Sequence, residues 1–463
     1  MTALDDLAAY DRATNRLLGL IRGERAATSP KTDRIGRAAA RLARTLALLE
    51  AFGNPQHRYS TVHVTGTSGK GSVAAMIAAI LSSAGYRVGL RTSPYLQVAT
   101  EKLQISSRLI DANSLDRISD QVIEQHKIDL PGGRLGYAEA WCALSFLWFA
   151  EQQVDLAVIE VGAGGRFDAT NVIEPAVSVI TSVGLDHVVS LGPTLADIAW
   201  HKAGIIKPGT TAVVGPVPER ALRVIQKEAE CAGAPLHLAG TRPPVARSAV
   251  RMPGAFQEIN AEVAIAAVKA LSSNGFLVSE IDIIAGLANA RLPGRLEQMP
   301  ADSEPFVWLD GAHNADKIAA LARESNLVAA GERLPVIVLG VLKSKDAAAI
   351  ASGIAPLAST IVATEPTVIG KTPLTAAELA AAIRESGFSG ALHVEPDALS
   401  ALQLGEMLAR PYGSNVVATG SMYLAGQLRG RWYPDAEVVL QRTPWPTTPA
   451  AAVQAPLERS VAL

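Results

Sequence analysis

Residues 61–72 read Thr61-Val62-His63-Val64-Thr65-Gly66-Thr67-Ser68-Gly69-Lys70-Gly71-Ser72, and the alanine-rich run Val73–Ser83 follows. Thr61–Thr65 is a short β-branched stretch, which predicts a strand. Val73–Ser83 predicts a helix, and Arg87–Arg91 a second strand. A strand–loop–helix–strand unit is the signature of a parallel sheet with helices on its faces. The loop itself suits an anion. Gly66, Gly69 and Gly71 let backbone N–H groups approach closely, and the helix start adds partial positive charge. Gly66, Thr67, Ser68, Gly69, Lys70, Gly71 and Ser72 are therefore candidates to cradle a nucleotide, with Lys70 on its terminal phosphates and the Ser72 hydroxyl on Mg²⁺. Gly71 separates Lys70 from Ser72, which departs from the common G-x-x-x-x-G-K-[ST] spacing.

The α/β alternation continues on both sides of this unit. Residues 1–58 read as helical and polar, with Leu42, Leu46 and Leu49 on one face of Arg37–Phe52. Downstream come a helix at Tyr137–Gln152, strands at Leu156–Val161 and Val177–Val183, and a helix at Leu195–Ala203. Strand Ala212–Val214 and helices Glu219–Ala232 and Gln257–Ser272 follow. Prolines at 293, 300 and 305 break the pattern, so a first domain is predicted over 1–296. A smaller Rossmann-like α/β domain is predicted over 297–440, with strands Phe306–Leu309, Val336–Leu339, Ser359–Ala363 and Asn415–Thr419 and helices Ala315–Ala322 and Pro373–Glu385. The proline-rich remainder, 441–463, reads as a loosely ordered tail.

Composition narrows the class. The chain has 463 residues, 42 basic against 44 acidic, so no basic surface speaks for nucleic acid. The most apolar stretch, Trp141–Ala150, is shorter than the ~20 residues a bilayer requires. Two cysteines, Cys142 and Cys231, make no disulfide framework. A cytoplasmic protein without a membrane partner is the expectation.

Three further clusters sit just past predicted strands, where open α/β sheets bind ligands. Glu160 opens the run Glu160–Asn171, and a carboxylate opposite a phosphate loop suits a Mg²⁺ ligand. Gly184-Leu185-Asp186-His187 ends the next strand, and Lys202 follows in His201–Lys207. Asp310-Gly311-Ala312-His313-Asn314 opens the second domain, and Arg295 in the linker is placed to clamp a phosphate or ribose.

Taken in order, these motifs resemble the folylpolyglutamate synthase/dihydrofolate synthase branch of the Mur ligases. The markers are Gly66–Ser72, Ser93-Pro94, Glu160–Asn171, Gly184–His187, Lys202–Lys207, Pro293–Arg295, Asp310–Asn314, Lys345-Asp346 and Thr419–Tyr423. The resemblance spans roughly residues 33–430 and implies an N-terminal P-loop ATPase domain followed by a glutamate ligase domain. It implies ATP on the glycine loop, one Mg²⁺ on Ser72 and Glu160, and a second served by His187 and Lys202, the latter open to carbamylation. Glu160, His187 and Lys202 are thus expected to converge on one metal centre. By the same resemblance Asn260, Arg295 and Asp310 hold the nucleotide, while His313 and Ser421 lie near the incoming L-glutamate. Lys70, His187, Lys202 and His313 would carry the catalysis.

The implied reaction is phosphorylation of a folate-type carboxylate by ATP, attack by the amine of L-glutamate, and loss of phosphate. A monomer acting on small molecules is implied. The chain departs from the family pattern at Ser68, Tyr95, Lys102, His201, Phe256 and Ala315; Tyr95 and Phe256 bear on the pterin side. Two other readings stand beside this one: a Mur-type ligase for a non-folate acid, and a nucleotide switch that merely carries a P-loop.

Overall fold

The structure is a computed structural model, and it describes residues 2–21, 34–125, 133–240, 249–324, 328–331 and 333–447. Helices α1 (Ala3–Leu18) and α2 (Arg34–Ala51) precede β1 (Ser60–Thr65) and α3 (Lys70–Ser83). Next come β2 (Val88–Arg91), β3 (Leu103–Ile105), β4 (Arg108–Leu109), α4 (Ala112–Gln125), α5 (Tyr137–Glu151), β5 (Leu156–Glu160) and β6 (Val177–Ile180). The first unit finishes with α6 (Val188–Leu191), α7 (Leu195–Ala203), β7 (Thr211–Val214), α8 (Glu219–Cys231), β8 (Leu236–Leu238), α9 (Phe256–Ala270) and α10 (Glu280–Asn289). Its strands pair in the order β4-β3-β2-β5-β1-β6-β7-β8, parallel except for β3, which runs antiparallel to both β2 and β4.

β1 lies between β5 and β6: the chain leaves β1 for β2 on the β5 side and later crosses from β5 to β6 on the other, so the winding reverses at β1. That is a topological switch point, and the crevice at its carboxyl end is where such sheets bind ligands. Both faces are covered. Val62 and Val64 pack with α3, α9 and α10, while Ala157 and Ile159 pack with α4 and α5. The apolar run in α5 is core: Trp141, Phe146, Trp148 and Phe149 are at most 1% exposed. Each contributes on the order of 1.5–3 kcal/mol by burial. Among the described residues no helix is long and apolar enough to cross a membrane.

The second sheet uses β9 (Glu297–Gln298), β10 (Val307–Leu309), α11 (Ala315–Arg323), β11 (Val336–Leu339), α12 (Ala347–Ile354) and β12 (Thr360–Ala363). It continues with α13 (Ala376–Glu385), β13 (Ala391–Val394), α14 (Ala398–Ala409), β14 (Val416–Thr419), α15 (Met422–Arg429) and α16 (Asp435–Gln441). The order is β13-β12-β11-β14-β10-β9, with only β9 antiparallel. The mixed α/β class with two mostly parallel sheets is as the sequence suggests.

Several details differ. In α2 the buried face holds Thr45, Leu48 and Leu49, and Leu46 is exposed, because 46 lies about 100° around the helix from the centre of that face. β6 stops at Ile180 rather than Val183, since Thr181 and Ser182 turn their hydroxyls onto the glycine loop. α3 starts at Lys70, with Gly69 in the left-handed region at φ 82° as its N-cap. The tail from 441 is not loose where it is described: the Trp445 indole donates to Glu297 at 2.8 Å. Residues 448–463 lie outside the described residues.

Candidate active site

The glycine loop is held from below. The Ser68 amide donates to Ser182 Oγ at 2.9 Å, and Ser182 Oγ donates to Ser68 O at 3.0 Å. The Gly184 amide donates to Thr67 Oγ1, whose hydroxyl donates back to Gly184 O. The loop after β6 therefore fixes the loop after β1. Gly69 has no room for a side chain, since a Cβ there would strike Asn260 Oδ1. Asn260, on α9, is itself oriented by Gln257, to which its amide donates at 2.8 Å.

Lys70 Nζ donates to Gly66 O at 2.9 Å. Burial pulls its pKa down; the carboxylates of Glu160 and Asp186 work against that, and Arg295 adds to it. Glu160 ends β5 and is 5% exposed. Burial pushes its pKa up, opposed by Lys70, by the Ser93 N–H that donates to Oε2 at 2.8 Å, and by Arg295 and Arg91. A Cβ on Gly71 would stand 3.5 Å from that carboxylate. Glu160 thus overlooks the first turn of α3, where Ser72 is 4% exposed.

His187 and Lys202 share a second neighbourhood. His187 has φ 53° and lowers to a pKa of about 4, through burial first and then Lys345, Lys70 and Lys202, against Asp186. Its imidazole is neutral at pH 7. Lys202 is 2% exposed, and burial, then Lys70 and Lys317, bring its pKa well below the usual lysine range despite Asp186. Lys70 is the charge common to both neighbourhoods: it acts on Glu160, on His187 and on Lys202. Among the described residues, no group of three His, Cys, Asp or Glu side chains is arranged to hold an ion.

The donor set can still be tested against Mg²⁺, a hard cation that takes oxygen ligands. Glu160 and Ser72 fit it: a buried carboxylate with a hydroxyl nearby, balanced by cations. His187 and a free lysine amine are nitrogen donors and fit poorly. A carbamate on Lys202 would supply the missing oxygens, and a buried amine of lowered pKa is the form that reacts with CO₂.

The second unit faces the same place. Asp186 Oδ1 pairs with Lys345 Nζ at 2.9 Å, and its Oδ2 accepts from Asn314 Nδ2 at 3.1 Å. Burial raises the Asp186 pKa, but Lys345, His187 and Lys317 outweigh it and hold the carboxyl low. The Asp310 oxygens accept from the backbone N–H groups of Leu296 and Ala312 at 3.0 and 2.8 Å, which ties the loop Asp310–Asn314 to the Arg295 turn. His313 Nδ1 donates to Gly311 O at 2.7 Å, leaving Nε2 to accept from Lys317 Nζ at 3.0 Å. Burial, Lys317 and Lys345 keep that imidazole neutral. Ser421 caps α15, accepting from the Tyr423 amide. A cleft beside the first turn of α3 is lined by Gly71, Ser93, Tyr95, Glu160, Arg295 and Met422, with Glu101, Gln104 and Pro444 also on its walls; His187, Lys202, Asp310, His313 and Lys317 are not part of its lining.

Two cations escaped the sequence reading as site residues. Lys317 is held near a pKa of about 7 by burial and by Lys70; its place at i+4 from His313 was the available signal. Lys102, also about 7 through burial and then Arg91, lies over the rings of Tyr95, Tyr137 and Trp141 at 5.8, 5.6 and 5.1 Å. Tyr137 and Trp141 are one turn apart on α5. Phe256 packs into the core of the second unit rather than toward the cleft residues.

Residues 64–245 match the Mur ligase middle domain and residues 294–422 the Mur ligase glutamate ligase domain. The chain is 35% identical over 418 residues to a folylpolyglutamate synthase of Lacticaseibacillus casei, covering 83% of this chain and 93% of that protein. The folylpolyglutamate synthase of Mycobacterium tuberculosis complexed with ADP superimposes with a TM-score of 0.80 at 28% identity, covering 93% of this chain and 99% of that one. A bifunctional folylpolyglutamate synthase/dihydrofolate synthase with Mn, AMPPNP and L-glutamate bound does so at 0.71 and 26%, covering 84% and 93%.

Proposed function

The chain belongs to the folylpolyglutamate synthase family of Mur ligases, and from that premise we propose how its cleft joins L-glutamate to a folate-type acid at the expense of ATP. It is an ATP-dependent ligase that uses a divalent metal. The observation that carries the proposal is that Gly71 of the phosphate loop, Glu160, Arg295 and Met422 line one cleft, while Asp186 of the first unit pairs with Lys345 and Asn314 of the second.

The roles follow from charge. ATP lies along Gly66–Ser72, its terminal phosphates beside Lys70, with Asn260, Arg295 and Asp310 on the nucleoside side. The acid enters past Tyr95 and Ser93, and its carboxylate attacks the γ-phosphorus to give an acyl phosphate and ADP. The glutamate amine then attacks the acyl carbon, and phosphate leaves. Both steps gather negative charge, which Lys70 and Arg295 stabilise without reorganising. Ser72 and Glu160, and His187 with a carbamylated Lys202, would hold Mg²⁺, which would supply further charge stabilisation. The division into a nucleotide unit (1–296) and a glutamate unit (297–440) belongs to this proposal. A monomeric enzyme belongs to the same reading, and free Cys142 and Cys231 suit the cytoplasm.

The glutamate end tests the assignment. Lys317, fixed by His313, is the cation proposed for a glutamate carboxylate. Its pKa near 7 leaves it charged below that pH and neutral above, so KM for glutamate climbs as pH rises through about 7. His313→Ala raises that KM by about tenfold or more while KM for ATP stays within about twofold, the pattern of a lost substrate contact. Steady-state kinetics at saturating ATP read both. Equal weakening of ATP and glutamate would assign His313 to the nucleotide.

A further inference from the structure

The chain does not stop where the second sheet is complete. After α15 it runs back onto the first unit. Gln97 Nε2, beside the acid-side loop, donates to Asp435 Oδ1 at 2.6 Å and to Tyr433 O. Val438 and Val439 of α16 pack with Ala9, Val98, Leu109 and Ala112. Arg442 then extends the edge of the first sheet: its carbonyl accepts from the Leu109 amide at 3.0 Å, and its Nε donates to Leu109 O at 2.9 Å. From that edge the chain returns to the cleft, where Pro444 is part of the wall.

The return is fastened at one carboxylate. Glu297 Oε1 accepts from Trp445 Nε1 at 2.8 Å and from Arg429 Nη2 at 2.9 Å. Its Oε2 accepts from Arg429 Nε at 3.0 Å and from the Gly294 amide at 2.8 Å. Arg429 is wholly buried, with its guanidinium 4.3 Å from the Tyr433 ring and 5.7 Å from that of Trp445. A buried, bidentate arginine–carboxylate pair has one geometry, and breaking it strands a charge. The Gly294 amide belongs to the turn Pro293–Arg295, whose Pro293 and Arg295 also line the cleft.

We propose that residues 433–447 are a strap that sets the acid-binding wall of the cleft, with Pro444 forming part of that wall and Trp445 acting as a positioning residue for the Pro293–Arg295 turn through Glu297. The inference rests on the ligase reading above. The strap crosses from the second unit to the first and back, so it links the wall's position to the relation between the two units. Glu101 and Leu96 show how local the effect is: Glu101 Oε2 accepts from the Leu96 amide at 2.7 Å, and Leu96 borders both the cleft and α15. Shifting the strap therefore moves the acid's surroundings while leaving the Gly66–Ser72 loop on its own supports.

The test removes residues 442–463 and, separately, makes Trp445→Ala and Trp445→Phe in the full chain, with tetrahydrofolate and dihydropteroate as acids. The strap account predicts that truncation and Trp445→Ala raise KM for the acid by about tenfold, with KM for ATP within about twofold. Trp445→Phe keeps the ring beside Arg429 and recovers part of the loss. An unchanged acid KM in folded variants, whether or not the melting temperature falls, overturns the proposal, and so does an equal rise for ATP. If the truncated chain does not fold, the two point variants decide. An unmodified enzyme inactive on both acids would instead count against the ligase reading, before any variant is compared.

Discussion

Replacing Lys70 with alanine is expected to lower turnover by about 10²-fold or more while leaving the protein folded. Lys70 begins α3 directly beneath the glycine loop, and its bond to Gly66 O is the one hydrogen bond its amine makes to the loop. That bond is to a carbonyl, which any neighbouring donor or water can satisfy, so little stability is lost. The charge is another matter. Burial lowers the Lys70 pKa, while Glu160 and Asp186 act against it and favour the charged amine in a water-poor site. A fixed cation there stabilises charge that develops on a transferring phosphoryl group far more than it would in water. Thermal melting with steady-state turnover checks both halves. A variant that folds and turns over near-normally would remove the glycine loop from the mechanism.

Replacing Lys202 with alanine should also separate activity from stability. The amine is 2% exposed beside Lys70 and Lys317, with Asp186 the attractive charge acting on it. A lysine whose folded pKa lies below its unfolded value of about 10.4 penalises folding at pH 7, because folding must release a proton or bury a charge. That penalty fades as pH rises toward 10. Lys202→Ala is therefore expected to melt no lower than the unmodified chain at pH 7. If Lys202 carries a carbamate that faces the metal, the same variant loses about 10²-fold or more in turnover. The unmodified enzyme, stripped of CO₂, should lose activity and regain it with bicarbonate. A variant with full turnover, or an enzyme indifferent to CO₂, would contradict the carbamate.

Both variants probe residues that the sequence already singles out, Lys70 by its position after a strand and Lys202, at the end of a helix, by its place in the family motif. Lys70, Glu160, His187 and His313 all lie within a few residues of a strand's carboxyl end, and strands with flanking glycines are readable from β-branching and turn chemistry. What connects them was not readable. Thr181 and Ser182 continue the apolar strand pattern, and only the tertiary structure shows them leaving the sheet to hold Ser68. Lys317 and Lys102 look like ordinary solvated lysines until burial and their neighbours bring both near pKa 7. The two carboxylate oxygens of Asp310 accept from backbone amides, a use that no spacing reveals. The tail reads as loosely ordered from its prolines, yet Trp445 finds a part-buried partner 148 positions away in Glu297. Local rules recover elements and loop chemistry, whereas partner choice across the two sheets depends on packing.

The most direct test of the central claim uses dihydropteroate or tetrahydrofolate labelled with ¹⁸O in its reacting carboxylate, incubated with ATP, Mg²⁺ and L-glutamate. In the acyl-phosphate route one carboxylate oxygen forms the bond to phosphorus and departs with the phosphate, while the other remains in the new amide. The account predicts that sustained ADP release requires the acid and L-glutamate together, and that each released phosphate carries one ¹⁸O from the acid. ADP release that is indifferent to the acid or to glutamate, or phosphate free of label, would contradict it.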